Sequence, residues 1–208
     1  VDANADQLID ANDSHWQVAG TGASSTIMLE LAGKSAVNTF GIYDLADTSN
    51  YIQLFGGPSG VADQVELTVA GDGSVTVAGA AAGTLSSNTF GFYLARPIDA
   101  SMPLDAPGNG RFFYSDSALN GGGKDQMAAY QGDGSPVNIP GIGAEVWDTS
   151  DYILAWEDLS YDFSQYDKSD VNDFVVYIED ITAVPEPGTL ALLGLGLAGL
   201  GAARRRRA

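Results

Sequence analysis

Seven side chains able to offer hard oxygen ligands crowd into residues 157–173: Glu157, Asp158, Asp162, Asp167, Asp170, Asn172 and Asp173. Divalent cations such as Ca²⁺ take oxygens from carboxylates, carboxamides and backbone carbonyls, and Ca²⁺ tolerates irregular geometry. The residue types predict a calcium site with Glu157, Asp158, Asp170, Asn172 and Asp173 as ligands and Asp125, Asp162 and Asp167 as further donors. DKSDVND at 167–173 is not an EF-hand loop, because the turn glycine and the distant glutamate are missing. GGGKDQMAAY at 121–130 amounts at best to half of one calcium-binding nonapeptide, without a repeat. A solvated acidic turn and a catalytic carboxylate pair are the two other readings of the same residues.

Other chemistries have less to work with. His15 is the one histidine, so a Ser-His-Asp triad would have to use it, and no GxSxG elbow accompanies it. It reads as an exposed residue of an N-terminal arm. With no cysteine and one histidine the chain lacks the donors of a zinc hydrolase or a thiolate metal site. A glycosidase needs only two carboxylates and stays open. Trp16, Trp147 and Trp156 are candidates for stacking on sugars, although tryptophan in a small β domain more often packs in the core or at its rim. Gly194, Gly196 and Gly199 spell GxGxxG, but a dinucleotide fingerprint must follow a strand and open a helix within a βαβ unit, whereas this one runs into arginines.

Charge narrows the partners. Residues 1–184 hold 26 acidic side chains against Lys34, Arg96, Arg111, Lys124 and Lys168, a net charge of −21. Such a surface repels phosphate polymers and anionic bilayers and attracts cations, so nucleic acid is not an expected partner. The 208 residues suffice for one principal domain. Val1 opens without a basic-then-apolar leader, as expected of a mature exported chain.

The composition changes abruptly at the C-terminal end. Val184, Pro185, Glu186 and Pro187 are followed by an uncharged run, 188–203, and then by Arg204, Arg205, Arg206 and Arg207. As a helix the run would be about 24 Å long, short against roughly 30 Å of hydrocarbon core, with the arginine stems and local thinning making up the difference. The arginines fix the predicted orientation, C-terminus cytoplasmic and acidic domain outside. A glycolipid-anchor signal also ends in an apolar tail, but not in clustered arginines. The three parts, in this order, resemble the PEP-CTERM sorting signal of Gram-negative bacteria. That resemblance implies a precursor held in the inner membrane, recognition by an exosortase-type transpeptidase, removal of the tail, and delivery to the cell surface or an exopolysaccharide matrix.

The residues that would position a calcium site read as β structure. In 65–69 Val65, Leu67 and Val69 alternate with polar residues, and Val75 and Val77 do so after AGDG, predicting a hairpin with Asp72 and Gly73 at positive φ. Further strands are predicted at 26–31, 37–44, 89–95, 111–115, 152–156 and 173–179. NTFGIYD at 38–44 and NTFGFYL at 88–94 nearly repeat, which predicts two related strands, one in each half of a sandwich, with Gly41 and Gly91 allowing close approach.

Residues 152–181 resemble the end of a bacterial domain family of unknown function, with a FEDL-like strand, an acidic loop and an NDxV-like strand. The matching residues are Trp156, Glu157, Asp158 and Leu159, then Asp170, Asn172, Asp173, Phe174 and Val175. Asn120 and Asp125 match an earlier loop of that family, in which histidine often follows the aspartate where this chain has Gln126. The expected organisation is an acidic N-terminal arm at 1–25, an antiparallel, jelly-roll-like β-sandwich at 26–182, and the sorting signal with its single transmembrane helix at 183–208. The expected function is a non-catalytic structural protein of the surface or of a biofilm matrix, stabilised by calcium. The alternatives are a carbohydrate-binding module and a secreted glycan hydrolase.

Overall fold

The computed structural model describes residues 13–19, 25–33, 37–56, 63–97, 101, 110–139, 143–158 and 173–185. The predicted membrane segment, the arginine cluster, Glu186 and Pro187 lie outside the described residues, as do Asp162, Asp167, Asp170 and Asn172. Among the described residues no helix is long and apolar enough to cross a membrane.

Strands follow one another as β1 (Trp16–Val18), β2 (Ser25–Gly33), β3 (Thr39–Asp44), β4 (Asp47–Phe55), β5 (Gln64–Val69), β6 (Ser74–Val77), β7 (Ala80–Thr84) and β8 (Phe90–Pro97). They continue with β9 (Gly110–Tyr114), β10 (Met127–Gln131), β11 (Ser135–Ile139), β12 (Gly143–Trp147), β13 (Tyr152–Trp156), β14 (Phe174–Ile178) and β15 (Ile181–Ala183). The first sheet runs β15-β1-β8-β3-β4, with β9 also on β8, and the second runs β10-β13-β14-β2-β5-β6-β7. β11 and β12 form a separate hairpin whose Ile139 packs with Tyr177 on the second sheet. The pairings are antiparallel, as alternation of apolar and polar residues predicts for sheets buried on one face.

The two large sheets share one core. Phe40 of β3 stacks on Phe174 of β14 at 5.1 Å and meets Trp156 of β13 edge-on at 5.9 Å. In β5, Val65, Leu67 and Val69 are buried while Gln64 and Glu66 are exposed, so the period of two read from the sequence places this strand correctly. Its hairpin differs in detail. Gly73 alone takes the positive φ (85°), and Asp72 instead accepts the Ser74 N–H at 3.0 Å.

The two near-identical heptads are neighbours rather than members of opposite halves. β3 and β8 pair antiparallel with Ile42 opposite Phe92, Gly41 opposite Tyr93 and Gly91 opposite Tyr43. Phe40, Ile42, Phe92 and Leu94 fill the core, while Tyr43 and Tyr93 lie on the outer face against Tyr51, Phe112 and Tyr114. Each glycine therefore makes room for the tyrosine ring of the other copy.

The N-terminal boundary also differs from expectation. Trp16 is fully buried, its Nε1 donates to the Asp13 carbonyl at 2.7 Å, and β1 lies between β15 and β8. Residues 13–18 thus belong to the sheet. His15 is mostly covered and sits 3.9 Å from the Asp116 carboxylate instead of standing in an exposed arm. At the far end of β3, buried Asp44 accepts hydrogen bonds from Ser86, the Ala46 N–H and Asn50. Burial by itself would raise the Asp44 pKa, but these donors outweigh it and hold the carboxyl below its ordinary value.

Candidate metal centre between the two sheets

Register brings the acidic residues together. Met127 of β10, Trp156 of β13 and Phe174 of β14 lie side by side, so the residues just outside these positions meet at one end of the second sheet. The Glu157 N–H donates to the Gln126 carbonyl at 3.0 Å, and the Asp173 N–H to the Trp156 carbonyl at 2.9 Å. The Asp158 N–H donates to Asp173 Oδ2 at 3.2 Å. One carboxylate oxygen from each of Glu157, Asp158 and Asp173 lies within 4.8 Å of the others.

Two side chains of the first sheet reach this group. Arg96, on β8, places Nη1 3.2 Å from Asp158 Oδ1, and Asn38, just ahead of β3, donates from Nδ2 to Asp158 Oδ2 at 2.8 Å. Glu157 is 4% exposed and Asp158 8%, so these charges sit where water screens them weakly. Two other buried carboxylates are also met by donors. Asp44 is ringed by donors, and Asp151 accepts from the Asp148 N–H, the Tyr177 hydroxyl and the Asp180 N–H. Glu157, Asp158 and Asp173 face one another, an arrangement that a shared divalent cation relieves.

Of the predicted ligands, the fold thus unites Glu157, Asp158 and Asp173, while Asp170, Asn172, Asp162 and Asp167 fall outside the described residues. Asp125 is not in the group; its Oδ1 accepts the Met127 N–H at 3.1 Å. Asn120 serves the fold, taking the Tyr114 N–H on Oδ1 and donating to the Tyr114 and Lys124 carbonyls. Gln126 is buried beside Glu157, its carbonyl taking the Glu157 N–H. Asn38 and Arg96 carried no signal in the sequence, since each is an ordinary polar residue at a strand end. Trp16 and Trp156 are fully buried, and Trp147 packs with Ile139 and Tyr177, as core and rim packing predicts.

The sorting signal starts where the fold stops. β15 ends at Ala183, the Val184 N–H donates to the His15 carbonyl at 2.7 Å, and Pro185 is exposed. Residues 183–207 match the family model of the PEP-CTERM protein-sorting motif. No curated protein and no solved structure matches the chain. The motif implies an exported protein that passes through a membrane-anchored precursor and is processed by an exosortase.

Proposed function

We propose that this chain is a non-catalytic structural protein of the bacterial cell surface or biofilm matrix, built on a jelly-roll-like β-sandwich that calcium stabilises. It is delivered from an inner-membrane precursor whose C-terminus is cytoplasmic, and its matrix partners are exopolysaccharide or other matrix components. The sorting motif at 183–207 carries this reading. The exposed Pro185 supports it, because a transpeptidase needs extended backbone and proline resists helix. Glu157 and Asp158 support binding over hydrolysis: they are adjacent, nearly buried residues, whereas a glycosidase sets its two carboxylates on either side of an open sugar site.

Changing Pro185 and Pro187 to Ala is expected to leave a full-length, membrane-bound form in the native host, while the parent chain loses its tail. Mass spectrometry of the extracellular and membrane fractions reads the C-terminus directly. An intact tail on the parent chain would remove the sorting reading.

Calcium is expected to raise the melting temperature of the full chain in detergent micelles. At about 100 times its dissociation constant the gain is about 2.7 kcal/mol, visible in any thermal scan. Magnesium should do less, since its small octahedral shell fits an irregular carboxylate group poorly. Ionic strength must be matched, because screening relieves a charge of −21 in any salt. Equal rises in calcium, magnesium and sodium chloride, or a rise that survives Glu157→Gln with Asp173→Asn, would leave only a solvated acidic turn.

A further inference from the structure

We infer that β15 is the docking strand for the transpeptidase and that β1 covers it, so that residues 182–184 have to leave β1 before the tail is removed; this rests on the sorting reading above. Only Pro185, Glu186 and Pro187 separate Val184 from the uncharged run that opens at Gly188. At roughly 3.5 Å per residue, Val184 lies within about 14 Å of that run. The polar layer outside the hydrocarbon core is itself about 5–7 Å deep. In the precursor the folded domain therefore rests close to the headgroups, and an enzyme has little free chain on which to close.

That free chain is also poor in backbone donors. An enzyme that takes a peptide as an extended strand pairs with its N–H and C=O groups. Pro185 and Pro187 have no N–H, so Glu186 alone offers one between Val184 and the uncharged run. The next donors upstream belong to Val184 and β15, and β1 holds that segment. The Val184 N–H donates to the His15 carbonyl at 2.7 Å, and β15 lies on β1 with Ala183 opposite Trp16, Thr182 opposite Gln17 and Ile181 opposite Val18. Enzyme and β1 therefore compete for the same backbone.

The strand is placed to open from its C-terminal end. Ile181 is its root, with a wholly buried side chain and an N–H that donates to the Ser150 carbonyl at 2.9 Å. Beyond it Thr182 is exposed, and Ala183 and Val184 are half-buried. Among the described residues β15 is the end strand of its sheet, with β1 as its one neighbour. Residues past a buried anchor on a sheet edge belong to the least stable part of a fold, so 182–184 can peel away while Ile181 and the core stay in place.

The test follows tail removal from the full chain in the native host, by pulse labelling and separation of precursor from product. The chain has no cysteine, so Gln17→Cys with Thr182→Cys creates one disulfide, across an opposed pair whose Cα spacing suits a bridge. Thiol labelling separates the bridged from the unbridged fraction of this variant. The bridged fraction is expected to lose its tail about tenfold more slowly, since cutting of a transiently opened segment follows the population of the open form. A flexible spacer of about six Gly and Ser residues between Ala183 and Val184 should restore processing to the bridged chain, because it supplies free backbone while β15 stays closed. Thr182→Pro, which takes a backbone N–H from β15 at an exposed position, should speed removal about threefold, and it decides alone where no bridge forms. Equal rates in the bridged and unbridged fractions would overturn the inference and leave the sorting reading standing. So would a bridged chain that the spacer fails to rescue, or a Thr182→Pro chain cut no faster than the parent. A parent chain that keeps its tail would overturn the sorting reading and this inference with it.

Discussion

Gly91→Ala is expected to destabilise the domain by about 2–4 kcal/mol, more than an exposed strand glycine would suggest. Gly91 has an ordinary negative φ, so alanine is not refused by the backbone. Its new methyl would instead overlap the ring and hydroxyl of Tyr43, which lies across Gly91 on the neighbouring strand. Tyr43 has little room to yield, being fully buried with Tyr114 edge-on at 4.9 Å. Gly41 is the counterpart position: a Cβ there would overlap the Ile52 carbonyl and stand 2.8 Å from Tyr93 Cε1. The diagnostic measurement is a double-mutant cycle in urea. Once Tyr43→Ala has removed the ring, Gly91→Ala should cost little, so the two changes will be strongly non-additive. Costs that add to within about 0.5 kcal/mol would show that the heptads are alike for some reason other than this reciprocal packing.

Trp16→Ala should cost about 3–5 kcal/mol, a large part of the roughly 5–15 kcal/mol that holds a domain of this kind folded. The indole is one of the two wholly buried tryptophans among the described residues, with Tyr152 edge-on at 4.9 Å and Phe92 at 5.8 Å, so truncation opens a cavity between both sheets. Its effect should travel to the sorting signal. β1 is the strand that links β15 to β8, and the His15 carbonyl holds the Val184 N–H. Weakening β1 is therefore expected to raise hydrogen exchange at Ile181, Thr182 and Ala183 before the amides of β3 and β8 respond. Trp16→Phe, which keeps an aromatic ring in the cavity, should lose less. An unfolding midpoint unchanged in Trp16→Ala would mean that residues 13–18 behave as the loose acidic arm their composition suggests.

Both expectations concern contacts that hydrophobic pattern cannot name. Alternation in 65–69 states which side chains of β5 face the core, and Phe40, Ile42, Phe92 and Leu94 declare themselves in the same way. It does not state which strand lies alongside. Two copies of NTFG fit opposite halves of a sandwich as well as adjacent strands, and only the register of β3 on β8 separates the two. β7 shows the opposite failure: all five of its residues are exposed, so it has no apolar signal and joins the sheet through backbone pairing with β6. β1 was hidden by its acidic surroundings, although one tryptophan carries most of its burial.

The sequence by itself determined the sorting signal, because its parts act in chain order: an extended proline motif, an apolar run and a basic cluster work without a tertiary fold. It also determined the β class and the acidic character of 157–173, both of which are local properties of residue type and period. Only the tertiary structure decided which of those acids share a site. Glu157 and Asp158 meet Asp173 because β13 and β14 pair in one particular register, and Asn38 and Arg96 reach Asp158 because the first sheet packs on the second. Such contacts depend on how separate segments stack, and a chain read one window at a time carries no record of that.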